Sequence, residues 1–138
     1  MVRFLLDTNI LSEPSRPNPN PNVLRRMNQY RFQVGVSSVV VSELLYGCWK
    51  LLKSRRRDSL WQYLQDSVLT LPIFDYDLRA ARWHAEERVR LSQLGKTPSF
   101  IDGQIASIAA VNSLVLVTRN VRDFANFQGI TVENWFED

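Results

Sequence analysis

Short apolar runs alternate along the chain with longer amphipathic segments. Val2–Leu6 is halted by Asp7-Thr8-Asn9 and reads as a buried strand ending in a cap, followed by a helical turn through Ile10–Glu13. Pro14–Asn22 carries four prolines and reads as an exposed connection, because proline neither continues a helix nor joins a central strand. Asn22 is placed to cap a helix over Val23–Tyr30, and Gln33–Val36 is the second strand. Ser37 or Ser38 then caps a helix over Val39–Leu52, and Ser54–Val68 forms another. Leu69–Phe74 reads as a strand whose Pro72 puts it at an edge or a bulge. Asp75 opens a long helix that stops at Gly95, and Ser99 opens one reaching about Asn112. Leu114–Val117 is a strand, Asn120–Phe127 a short helix, and Ile130–Val132 a last strand beyond Gly129.

Strands alternating with helices, without a hairpin signal between them, predict an α/β fold. Its central sheet of four to five strands is mostly parallel and covered by helices on both faces. The 138 residues fit one domain over 1–138 with a sizeable core.

In open parallel sheets, ligands bind outside the carboxyl ends of the strands, beside a switch point in strand order. Asp7, Thr8 and Asn9 follow the first strand, and Glu43 lies early in the helix after the second. Thr118, Arg119, Asn120 and Asp123 follow Leu114–Val117, and Asp102 sits in the first turn of the preceding helix. Four acids from separate segments can therefore gather at one end of the sheet. Such anions coexist at close range only with cations between them, and an all-oxygen set suits Mg²⁺ or Mn²⁺. Ions of this kind activate water and neutralise a phosphodiester during in-line displacement. Each acid also has a plain structural use. Ser99…Asp102 and Asn120…Asp123 have capping-box spacing, Asp7 can cap the turn after it, and Glu43 can be a solvated helix residue.

Composition narrows the chemistry. One His and one Cys exclude a disulfide framework and multi-Cys/His zinc sites, which leaves carboxylates as the groups to do chemistry. No apolar run approaches the roughly 20 residues of a membrane span. The N-terminal run meets Asp7 too soon for a signal-peptide core, so a cytoplasmic protein is expected. The net charge is only +3, but 14 of the 17 basic residues are Arg, whose planar fork matches phosphate. If Asp7, Glu43, Asp102 and Asp123 share one pocket, ten other acids face 17 basic residues. The rest of the molecule then carries +7.

Four ordered blocks carry a family resemblance. Leu5-Leu6-Asp7-Thr8-Asn9-Ile10-Leu11-Ser12 resembles the opening of PIN-domain proteins of the VapC toxin type. Ser42-Glu43-Leu44-Leu45-Tyr46-Gly47, Asp102-Gly103-Gln104-Ile105-Ala106 and Thr118-Arg119-Asn120-Val121-Arg122-Asp123-Phe124 resemble the later acidic blocks. The resemblance implies a PIN-like three-layer α/β/α sandwich. It also implies a Mg²⁺- or Mn²⁺-dependent endoribonuclease, the toxin of a type II toxin–antitoxin pair. Asp7, Glu43, Asp102 and Asp123 would be its catalytic and metal-site acids, with Asn120 the alternative to Asp123. Thr8 or Asn9 and Thr118 would orient water or metal. A cognate antitoxin and a second copy of the toxin would be its partners, and RNA its substrate. Pro14–Asn22 lies outside every block.

Other residues have plainer readings. Lys53-Ser54-Arg55-Arg56-Arg57 reads first as a solvated helix start and second as a contact for RNA phosphates, a role Arg119 could share. His84 reads as a solvated or half-buried helix residue, Cys48 and the four tryptophans as packing residues, and Glu86–Arg90 as an i, i+4 pair. Two other functions compete with the nuclease. One is a non-catalytic RNA- or partner-binding module on the same fold. The other is a phosphatase using Asp7 as nucleophile, against which Asn9 stands where a second Asp would be needed.

Overall fold

The computed structural model describes residues 1–137. Five strands lie in the order β3-β2-β1-β4-β5, and every neighbouring pair is parallel. They are β1 (Phe4–Leu6), β2 (Val34–Ser37), β3 (Ile73–Phe74), β4 (Val115–Val117) and β5 (Thr131–Glu133). Seven α-helices connect them: α1 (Thr8–Leu11), α2 (Pro21–Gln29), α3 (Ser38–Trp49), α4 (Arg55–Tyr63), α5 (Leu78–Gln93), α6 (Phe100–Val111) and α7 (Val121–Phe124). The strand order runs one way from β1 to β3 and the other way through β4 to β5, the doubly wound pattern that goes with helices on both faces in a three-layer α/β/α arrangement.

Strands covered on both faces need apolar residues at every position rather than at alternate ones. Phe4, Leu5 and Leu6 are all buried, as are Val34 to Ser37 along β2. The order of the chain reverses between β1 and β4, so the switch-point crevice opens at their carboxyl ends. Their register runs Phe4–Val115, Leu5–Leu116 and Leu6–Val117. The ladder continues one step further, since Asp7 N–H donates to the Val117 carbonyl at 2.9 Å. Asp7 and Thr118 therefore leave the sheet side by side.

The caps explain most boundaries. Ser37, Ser54 and Ser99 accept from the backbone N–H of Val40, Arg57 and Asp102, which starts α3, α4 and α6. Gly95 adopts φ +70° after α5, while Lys96 N–H reaches the Leu91 carbonyl at 2.8 Å and Gly95 N–H the Ser92 carbonyl, a Schellman closure.

Several expectations need correction. Asn20, not Asn22, caps α2, because Pro21 fits the first helical position where its missing N–H costs nothing. Asp77, not Asp75, caps α5 through the Ala80 N–H. The strand expected over Leu69–Phe74 shrinks to Ile73–Phe74, because Leu64–Val68 ends α4 in a wide π turn and Leu71 N–H folds back to the Val68 carbonyl. Pro72 does lie at the sheet edge, where only its carbonyl is used, accepting from Val36 N–H. Asn120 makes no side-chain cap on α7, so the expected second capping box is absent. Arg90 pairs with Glu87 at i, i+3 rather than with Glu86. His84 is fully buried rather than half-solvated. Cys48, Trp83 and Trp135 pack in or against the core as expected. Trp49 stays partly exposed, in contact with Trp61.

Candidate active site at the switch point

Asp7 sits just past β1, 7% exposed, and its carboxylate is held from two sides. Thr8 N–H donates to Oδ1 at 2.8 Å and the Thr118 hydroxyl donates to Oδ2 at 2.8 Å. Thr118 is itself fully buried just past β4. Having given its single proton to Asp7, its oxygen accepts from the Asn9 amide at 3.4 Å and from Asn120 N–H at 3.1 Å. Asn9 completes the loop by accepting from Arg119 N–H at 2.9 Å. The Thr8 hydroxyl donates to Glu43 Oε1 at 3.1 Å, tying the first turn of α1 to α3. Asp102 lies on the first turn of α6, with its N–H on Ser99 Oγ at 3.1 Å.

The acids also act on one another through their charges. Burial pushes the Asp7 carboxyl above its ordinary value, its threonine partners pull it down, and the charge of Asp123 pushes it up again. Glu43 is raised by burial and by the charges of Asp7 and Asp102, against the opposing Thr8 bond. Asp102 is raised by burial and by Asp123 and Asp7, against the Ser99 bond. Three acids are thus destabilised as anions by each other or by Asp123. Asp123 faces the cluster electrostatically, whereas Asn120 contributes a backbone N–H to Thr118. Among the described residues, no three His, Cys, Asp or Glu side chains are gathered closely enough to hold a metal ion by themselves.

Two cavities flank this cluster. The larger, about 810 Å³, has Thr8 and Glu43 on one rim, runs past Lys50 and Arg56, and is bordered by Pro14–Pro17. The proline-bearing turn is fixed there by Glu13, buried and accepting from Asn20 N–H at 2.8 Å. Tyr63 also lines it, donating to the Leu11 carbonyl at 2.6 Å, and burial pushes its phenol up to about 12, so it stays protonated. The smaller cavity, about 440 Å³, has Asp102 and Asp123 on its rim.

The basic candidates separate. Arg55 and Arg56 are exposed, and only Arg56 borders the larger cavity. Arg57 turns inward over Trp49, with its guanidinium carbon 4.9 Å from the ring centroid. Arg119 lies 4.5 Å over Phe136. The pattern of acids along the chain gave no hint of the packing behind Asp102. There Gly103 abuts the His84 ring, which accepts or donates at Nδ1 with the Tyr76 hydroxyl and whose buried Nε2 has no partner among the described residues. Burial lowers the His84 pKa, with Arg88 adding to the effect, so the ring is neutral at pH 7.

Fold and site together define a parallel α/β protein with a carboxylate cluster at its switch point, held by hydroxyl and backbone donors. A family model described as the PIN domain matches residues 4–130. The chain belongs to the PIN-domain family. It is 31% identical over 135 residues to a tRNA(fMet)-specific endonuclease VapC of Salmonella typhimurium, covering 98% of this chain and 99% of that protein. The structure of FitAcB from Neisseria gonorrhoeae superposes with a TM-score of 0.89 at 32% identity, over 98% of this chain and 99% of that one. DNA-bound VapBC from Salmonella typhimurium gives 0.83 at 31% identity, with the same coverage.

Proposed function

We propose that the chain is a divalent-metal-dependent endoribonuclease, a single nuclease domain over residues 1–138 acting in the cytoplasm as the toxin of a toxin–antitoxin pair. The observation that carries this reading is the convergence of acids at the switch point, where Asp7, Glu43 and Asp102 are raised chiefly by burial and further by neighbouring negative charge, that of Asp123 included. Buried carboxylates without a cationic partner are costly to keep charged, and a hard cation is the group that relieves them. The donor set fits Mg²⁺ or Mn²⁺, being all oxygen. Such an ion, when bound, lowers the pKa of water and offsets the charge of a phosphodiester.

Asp7, Glu43, Asp102 and Asp123 would hold it, in preference to Asn120. The residues around them fix the oxygens in place. Thr118 and Thr8 N–H hold both oxygens of Asp7, the Thr8 hydroxyl turns Glu43, and Ser99 holds the start of α6 beneath Asp102. Asn9 and Asn120 N–H in turn orient Thr118. The relatives' names support ribonuclease activity, and the FitAcB and VapBC structures support a cognate antitoxin as partner; a second copy of the chain is the other partner proposed. No helix among the described residues is long and apolar enough to cross a membrane.

The test is cleavage of a fluorescent RNA by purified protein with Mn²⁺ or Mg²⁺. Cleavage abolished by EDTA is expected. Metal-independent RNA binding without cleavage would overturn the reading in favour of a binding module.

A further inference from the structure

The smaller cavity beside Asp102 and Asp123 has features that the acid cluster does not explain. Lys96 and Arg122 both line it, and among the described residues neither makes an ion pair or a side-chain hydrogen bond. Two uncommitted cations therefore stand next to two of the four acids. The amide of Asn126 and the hydroxyl of Thr97 add donors and acceptors, while buried Leu91 and Phe127 supply an apolar floor. At about 440 Å³ the space falls within the about 300–1,000 Å³ of small-molecule sites.

Both walls are built rather than loose. On one side the Schellman closure at Gly95 pins Lys96 through its N–H on the Leu91 carbonyl. On the other, Arg90 forks onto Glu87 at 2.6 and 2.8 Å and also donates to the Asn126 carbonyl at 2.8 Å. Glu87 accepts in turn from Gln128 N–H at 2.6 Å, so the segment after α7 is tied to α5. Free cations, an amide and an apolar floor on rigid walls match the phosphate, edge and face of an unstacked nucleotide.

We propose that this cavity holds the nucleotide adjoining the scissile phosphodiester of single-stranded RNA, with Lys96 and Arg122 on its phosphates and Asn126 at its base edge. The assignment rests on the ribonuclease reading and names where its substrate lies. It also gives the small net charge a direction, because RNA would be gripped by cations on the side where Asp102 and Asp123 wait.

The experiment measures KM and kcat for a mixed-sequence fluorogenic RNA with Mn²⁺, and the salt dependence of KM, for wild type, Lys96→Ala/Arg122→Ala and Asn126→Ala. Arg82→Ala, exposed on α5 and outside both cavities, serves as the charge control. In the double variant KM is expected to rise about tenfold or more, with most of the loss in kcat/KM lying in KM. The log–log salt slope should fall by about 1.4, at about 0.7 for each single-strand phosphate contact. Asn126→Ala should change which bases flank the cut. An unchanged KM and slope in the double variant overturns the assignment, and so does an equal loss in Arg82→Ala. Poly-L-glutamate binding that is lost in the double variant, while KM and slope for RNA hold, overturns it in favour of an acidic protein segment. Wild-type cleavage is read first: its absence defeats the ribonuclease reading, whereas cleavage with indifferent variants defeats only the cavity assignment.

Discussion

Two sets of carboxylates in this molecule respond to folding in opposite directions. At the strand exits, Asp7, Glu43 and Asp102 are raised above their ordinary values, chiefly by burial and further by neighbouring negative charge. On α5, Glu87 is held below its ordinary 4.5 by the Arg90 hydrogen bonds, and by Gln128 N–H, despite its burial. Glu87 carries its own counter-charge and serves as a clamp. Among the described residues the strand-exit acids make no ion pair, and they are the acids at the switch point where ligands bind. Partial burial alone does not mark a functional carboxylate; burial without compensation does.

The signs lead to opposite pH behaviour. The raised acids keep protons in the folded chain that the unfolded chain has already released. Without metal, the cluster therefore costs stability at neutral pH, and that cost is relieved as the pH falls through the raised values. The lowered Glu87 contributes stability that is fully present above about 4.5 and lost as the pH falls through its folded-state value.

The comparison is broken most forcefully by neutralising a cluster acid. Asp7→Asn or Asp102→Asn is expected to abolish RNA cleavage, a loss beyond the about 10–100-fold typical of residues that only support metal ligands. The thermal midpoint should hold or rise, because repulsion is removed. Activity assays and thermal melts on the same preparations check both halves, and undiminished cleavage in both variants would remove these acids from the site.

Next in size is Thr118→Val, which deletes the proton donor to Asp7 and the acceptor for Asn9 and Asn120 N–H. Cleavage should fall about 10–100-fold. Stability should fall by about 1–3 kcal/mol, measured by denaturant titration, because buried polar groups lose their partner. A variant with wild-type turnover would show that Asp7 needs no orienting hydroxyl.

Gly103→Ala probes the packing behind Asp102. A methyl group there overlaps the buried His84 ring, and overpacking of this kind costs about 1–3 kcal/mol. Pairing it with His84→Ala in a double-mutant cycle should recover part of that loss. Strict additivity would contradict direct contact between the two residues. The mildest change is Glu87→Gln. It should lower the melting temperature at pH 7 and converge with wild type as the pH drops below Glu87's folded-state value. A constant gap at all pH values would mean that the Arg90 pair is not what holds the segment.

Much of this was legible before any coordinates. Strand exits marked Asp7 and Thr118 because apolar runs stop abruptly at them, and hydroxyls at Ser37, Ser54 and Ser99 marked helix starts by local chemistry. What escaped depends on which helix faces which. The Glu87 partner of Arg90, the burial of His84 and the need for Gly103 all follow from α5 packing on α6 and on the segment after α7. No single segment encodes that packing. Nothing in the sequence singled out Lys96 or Arg122 as a pair, since their shared cavity joins segments some 26 residues apart. The capping position of Asn20 was within reach, because Pro21 at the first helical position is itself a start signal.

On this reading the strand-exit acids, raised by burial and by one another, form the site of a divalent cation. Titrating Mn²⁺ into metal-free protein while following the thermal midpoint tests it most directly. In wild type the midpoint should climb with metal concentration, approaching about 2.7 kcal/mol of stabilisation at a hundredfold excess over Kd, and Asp7→Asn should flatten the curve. A wild-type midpoint indifferent to Mn²⁺, or one that climbs equally in Asp7→Asn, would contradict the account.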